Sequence, residues 1–125
     1  MNRSACASLI LLLLCSFGGS TSAQTKSSTV HGDLVELISY VKEGIKPTSV
    51  AGKEIALANL GKGGALAMLE KGTNKLYIVA VNAKDSTMMS RVTGFFGTHA
   101  FVKGPVATRN GIRVITVQDI GKSLK

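Results

Sequence analysis

The two cysteines of the chain, Cys6 and Cys15, both fall in its first 23 residues, a segment whose pattern predicts removal. Arg3 is followed by the apolar block Leu9-Ile10-Leu11-Leu12-Leu13-Leu14, and Thr21-Ser22-Ala23 supplies the small residues that suit signal peptidase. The block is too short for a stable bilayer anchor. Cleavage after Ala23 and export of residues 24–125 to a secreted or periplasmic location are therefore expected, with no transmembrane span left after cleavage. Lipid attachment at Cys15 fits less well, because Leu14 stands where a small residue is wanted. The exported part would carry no thiol, which excludes a disulfide, a cysteine nucleophile and a thiolate metal site. About a hundred residues must then be held by one apolar core without staples.

Charge narrows the partners. Loss of Arg3 leaves fourteen of the fifteen Lys and Arg residues against seven acids, a net charge of +7 compared with +8 for the whole chain. The lysines are scattered singly and form no basic run, and export removes the chain from nucleic acid, so no nucleic-acid partner is expected. A soluble surface with favourable contacts to anionic envelope material is the expectation instead.

The remaining sequence reads as one unit. Residues 24–29 form a polar leader expected to be flexible, residues 30–121 the folded domain and residues 122–125 a short tail. Residues 30–38 (VHGDLVELI) read as a first strand with Gly32 permitting a bulge, and residues 41–52, with Gly44, Pro47 and Gly52, as a connection. Residues 53–60 (KEIALANL) place Ala56, Leu57 and Leu60 at helical spacing. Two apolar runs at 65–70 and 75–81 flank Lys71-Gly72-Thr73-Asn74, which suits a hairpin. After Ala83 the period changes: Asp85 or Ser86 caps a second helix carrying Met88, Met89, Val92 and Phe96. Residues 98–106 and 112–120 are strand-like again, joined through Asn110-Gly111, a pair that tolerates the positive φ of a type I′ turn.

The predicted order is β-α-β-β-α-β-β: mainly β, with two short helices. Five strands with a helix between the third and fourth match a five-stranded OB-like barrel. An open α+β sheet uses the same elements and is the alternative. Short strands punctuated by glycine favour the barrel, since they let a small sheet curl.

Gly61-Lys62-Gly63-Gly64 has the composition of a phosphate loop but the wrong position. Such loops lead into a helix, where free N–H groups and the positive dipole end face the anion. Here the glycines follow a helix, so they are expected to terminate it, with Lys62 complementing the negative end.

The string V-x-G-x-x-V-E-L-x-x-Y from Val30 to Tyr40, then K-G-G-A-L-A-M-L-E-K at 62–71, K-L-Y-I-V at 75–79 and G-x-x-x-F-V-x-G-P-V at 97–106 together resemble a family of small exported, uncharacterised bacterial domains. The resemblance extends over nearly the whole mature chain and implies an OB-like fold. It also implies cysteines where this chain has Ser39, Ile55 and Asn59. Ser39 cannot form a thiolate, Ile55 has no donor atom and Asn59 is a poor ligand for a soft metal, so any chemistry of those cysteines has no direct counterpart here. Asn59 would need a hydrogen-bond partner if buried.

Few residues suggest chemistry. His31 and Asp33 point to one side of a strand, and with His99 they could in principle make a zinc or copper site, although two histidines in a basic exported protein read better as surface residues. Met88 and Met89 fit core packing better than a copper(I) site. The two histidines accompany no Gly-x-Ser-x-Gly elbow, and the acids, Glu36 and Glu54 among them, are scattered, so no enzyme activity and no cofactor are expected. A binding module is the expectation, contacting an anionic or extended envelope ligand through Tyr77, His99, Phe101, Lys103 and Arg113, which sit on predicted strands. A structural or stress-related envelope protein that binds another protein is the alternative.

Overall fold

The structure, a computed structural model, describes residues 26–82 and 84–124. The expected leader peptide and the first part of the polar leader lie outside the described residues. Nine elements follow: β1 (Ser27–Glu36), α1 (Leu37–Glu43), α2 (Val50–Gly61), β2 (Leu66–Glu70), β3 (Leu76–Ala80), α3 (Ser86–Gly94), β4 (His99–Arg109), β5 (Ile112–Thr116) and β6 (Asp119–Lys122).

The strands close on themselves. The sheet runs β1-β2-β3-β5-β4-β6, and β1 also pairs with β4, which shuts a five-stranded barrel and leaves β6 as an appended sixth strand. All pairings are antiparallel except β3 with β5; α3 carries the chain from β3 to β4, and β4 returns to β5. The chain is therefore an OB-like barrel rather than an open sheet.

Closure depends on two strands that each serve two neighbours. β1 pairs with β4 through Ser27–Asp33 and with β2 through Gly32–Glu36, so it turns the corner at Gly32. A methyl group at Gly32 would run into the Leu69 carbonyl. On β4 the edge facing β6 along Ala100–Lys103 passes to β5 at Val106–Arg109, and Gly104 lies between. There a methyl group would run into the Thr116 carbonyl. From Val106 to Lys103 is three steps on β4, whereas from Ile115 to Asp119 is four on the facing chain. The extra residue is a bulge that lets β5 and β6 lie end to end along β4 while the barrel bends.

Alternation fills the interior. Val30, Leu34, Met68, Val79, Ala100, Val102 and Ile115 point inward and are buried, and Val92 and Phe96 close the core from α3 and its exit. Full burial of a side chain such as Phe96 contributes about 1.5–3 kcal/mol. A second, smaller cluster of Val35, Ala67 and Leu69 lies outside the barrel wall, under Leu37 and Tyr40 of α1.

Several expectations require correction. There are three helices, not two: residues 37 and 38 do not extend the first strand but open α1, and α2 starts at Val50 instead of residue 53. β1 begins at Ser27, so residues 27–29 belong to the sheet and not to a flexible leader, and β6 carries the fold to Lys122. Residues 112–120 are two strands broken at the bulge. Of the expected helix core, Val92 and Phe96 are buried, but Met89 is 40% exposed and Leu57 38%. The local signals for turns and caps hold. Asp85 caps α3 by accepting from the Met88 N–H, and Asn110 and Gly111 both take positive φ. The Gly-Lys-Gly-Gly string ends α2: the N–H groups of Lys62 and Gly64 donate to the Asn59 carbonyl, that of Gly63 to Leu60, and Gly63 has φ +93. Those donors are committed to the helix end, as a cap requires.

Candidate functional site

The outer face of β1, β4 and β6 collects the largest share of the predicted site residues. Antiparallel register sets Asp33 opposite His99, His31 opposite Phe101 and Thr29 opposite Lys103. On the other side of β4, Phe101 faces Gly121 and Lys103 faces Asp119. Because Val30, Ala100 and Val102 point into the barrel, these alternate residues point out.

Phe101 is the centre of this face. A Cβ built at Gly121 would stand 2.7 Å from its ring, so the absence of a side chain there lets the ring lie across β6. The His31 ring tilts against it at 6.1 Å between centroids, with its Nδ1 held 2.8 Å from the Ser123 hydroxyl. Acidic groups on the face are occupied by internal partners. Asp33 lies 3.1 Å from Nδ1 of His99, and Asp119 pairs with Arg91 of α3 at 3.2 Å. Lys103 is exposed and makes no ion pair among the described residues. The outcome is a half-buried aromatic pair beside a lysine that makes no ion pair among the described residues.

The predicted residues thus fall into separate groups. His99, Phe101 and Lys103 share this face, as their alternation on one strand requires. Tyr77 and Arg113 do not join them: they face each other across β3 and β5 on the inward side, with Tyr77 packed against the core. The Arg113 guanidinium lies 5.9 Å from the Tyr77 ring centre and the phenol donates to Glu70 at 3.1 Å. Burial, then the Glu70 carboxylate, push the phenol above its usual value, while Arg113 pulls the other way. For the conceived metal set, Asp33 and His99 meet but His31 is turned to Ser123, and no group of three or more His, Asp or Glu positioned to hold a metal occurs among the described residues. Nε2 of His99 is buried without a partner.

A second polar site was not foreseen from the sequence. Glu36 ends β1 fully buried, and its carboxylate caps α1 by accepting from the N–H groups of Ile38 at 3.1 Å and Ser39 at 2.8 Å and from the Ser39 hydroxyl at 2.5 Å. The Ser39 hydroxyl accepts in turn from Nδ2 of Asn59 at 2.6 Å, linking α1 to the end of α2. Burial alone would raise the Glu36 pKa; the bonds from Ser39, Ile38 and Ala65 outweigh it and hold the carboxyl below its usual value of 4.5. Its bonds from Ile38 and Ser39 make the carboxylate the cap of α1 and a clasp between β1 and the two helices. The three residues floor an open cavity of about 430 Å³ walled by Lys42 and Lys62. The signal in the sequence was the isolated Ser39 and Asn59 within apolar runs.

No protein-family model matches the chain, and neither a curated protein nor a solved structure is similar enough to match it. The barrel and its surface define the protein: a small closed OB-like barrel of five strands with an appended sixth, carrying an aromatic and cationic outer face. Among the described residues no helix is long and apolar enough to cross a membrane.

Proposed function

We propose that the protein is a non-catalytic binding module of the cell envelope, exported after cleavage near Ala23, which takes an extended anionic ligand on the outer face of β1, β4 and β6. The observation that carries the proposal is the Phe101 ring lying over Gly121 with His31 against it and the exposed Lys103 next to it. Aromatic faces stack on flat or apolar portions of an extended ligand, and a lysine beside them supplies the charge. The Arg91 guanidinium offsets the charge of Asp119, and Asp33 is engaged by His99, so neither carboxylate pairs with Lys103. A net charge of +7 after cleavage, fourteen Lys and Arg against seven acids, draws anions to the surface generally, and this face adds shape to that attraction. The likeness of the sequence to small exported bacterial domains supports the envelope location.

The test is binding of the purified protein to immobilised peptidoglycan, anionic glycan and lipopolysaccharide. Binding to at least one of them that Phe101→Ala combined with Lys103→Ala abolishes supports the proposal. Retention of all binding by that double variant, or failure of the protein to bind any of the three, contradicts it.

A further inference from the structure

We propose that a second, separate surface, the outer face of β3, β5 and the β4–β5 hairpin, docks an acidic, aliphatic segment of a partner protein. The argument starts from what α1 leaves uncovered. Its seven residues shield the outer wall only over Val35, Ala67 and Leu69, with Leu76 at the margin. Register carries the same outward row onward: Ala67 pairs with Ile78, Ile78 with Val114 and Val114 with Ala107, while Ile112 pairs with Arg109. Among the described residues no helix lies over this half.

β5 shows that the row is surplus to the core. Ile115 is fully buried inside the barrel, yet Ile112 and Val114 place two more branched aliphatic side chains on the opposite face, and Ile112 is 58% exposed. Ile112 forms a ridge between two clefts. One, of about 330 Å³, runs between Leu37, Leu76 and Ile78; the other, of about 400 Å³, runs along Ala107, Arg109 and Val114. Two adjoining apolar clefts with a shared ridge accept alternate side chains of a single segment.

Charge selects the occupant. Arg109 lines one cleft, no Asp or Glu lines either, and Arg113, which borders the other, turns its guanidinium to Tyr77 on the inward side. Arg109 is exposed and has no ion pair among the described residues. A second copy of this chain would set arginine against arginine in a molecule of net charge +8. A segment with carboxylates next to aliphatic residues meets both requirements.

The probe is a fluorescein-labelled ten-residue peptide of alternating leucine and glutamate, with a leucine and lysine peptide as control, titrated by fluorescence anisotropy. The expected result is saturable binding of the acidic peptide only, weakened at least tenfold by Ile112→Ser and by Arg109→Ala and unchanged by Phe101→Ala. Ile112 and Arg109 are exposed, so an unaltered melting temperature confirms that the variants fold. Equal binding of both peptides, no binding of either, or affinity unaffected by the two substitutions overturns the proposal. So does a dimer in sedimentation that Ile112→Asp dissociates, which would give the face to a second copy.

Discussion

Asn59 donates from Nδ2 to the Ser39 hydroxyl at 2.6 Å, tying the last turn of α2 to α1 across twenty residues of sequence, and Ser39 passes the interaction to the buried Glu36 carboxylate. Ser39→Ala removes one donor from the carboxylate and the acceptor from Asn59. A loss of about 1–3 kcal/mol in unfolding free energy is expected, with a smaller loss for Asn59→Ala because that side chain is only half-buried. The two substitutions share a partner, so a double-mutant cycle in urea should show them to be non-additive by at least about 0.5 kcal/mol.

The same carboxylate sets an acid limit to stability. Its folded pKa is depressed below 4.5, so the unfolded chain takes up the proton first as pH falls. The stabilisation is complete above 4.5 and declines as pH drops through the folded value. Unfolding free energy measured from pH 6 to pH 3 should fall in that window, and the fall should be shallower in Glu36→Gln, which is less stable than the parent at pH 7.

The corner glycines should respond in opposite sense to a helical one. At Gly32 and Gly104 a methyl group meets a backbone carbonyl that cannot yield without opening a strand pair, whereas at Gly61 it meets nothing within 4 Å. Gly32→Ala or Gly104→Ala is expected to cost about 1–3 kcal/mol or to prevent folding. Gly61→Ala should be neutral or stabilise by up to about 1 kcal/mol. Thermal melts of the three variants decide the matter.

Arg91 guards the free edge of the sheet. Its guanidinium donates to the Ile120 carbonyl at 2.8 Å, and the Asp119 side chain takes the Ile120 N–H at 2.9 Å, so the backbone of β6 at that position is occupied. Arg91→Ala uncovers the carbonyl for pairing with another strand. Light scattering at raised concentration should show faster association for that variant at little change in melting temperature.

Much of the barrel was legible because its signals are local. Asn110-Gly111, the Asp85 cap and the glycine stop after α2 each act through neighbouring residues, and the run of five strands around one late helix follows from them. α1 was not legible: Glu36 is not a preferred capping residue, and the apolar Leu37 and Ile38 continue the pattern of β1 until the buried carboxylate turns the chain. The break between β5 and β6 depends on register against β4, which no local pattern records. His99, Phe101 and Lys103 share a face because strand alternation is local; Tyr77 and Arg113 lie elsewhere because which side of β3 and β5 is inward is decided by closure. The apolar outer row around Ile112 escaped notice for a related reason, since a strand aliphatic on both faces has no alternation to mark its exposed side.

Amide chemical-shift mapping of the 15N-labelled protein during titration with an anionic glycan tests the ligand face directly. Saturable shifts centred on Thr29, His31, Phe101, Lys103 and Gly121, reduced by added salt and lost when Gly121→Ala displaces the Phe101 ring, are the predicted result. Shifts that spare these residues and gather elsewhere, or that persist unchanged in the Gly121→Ala protein, would contradict the assignment of this face as the binding surface.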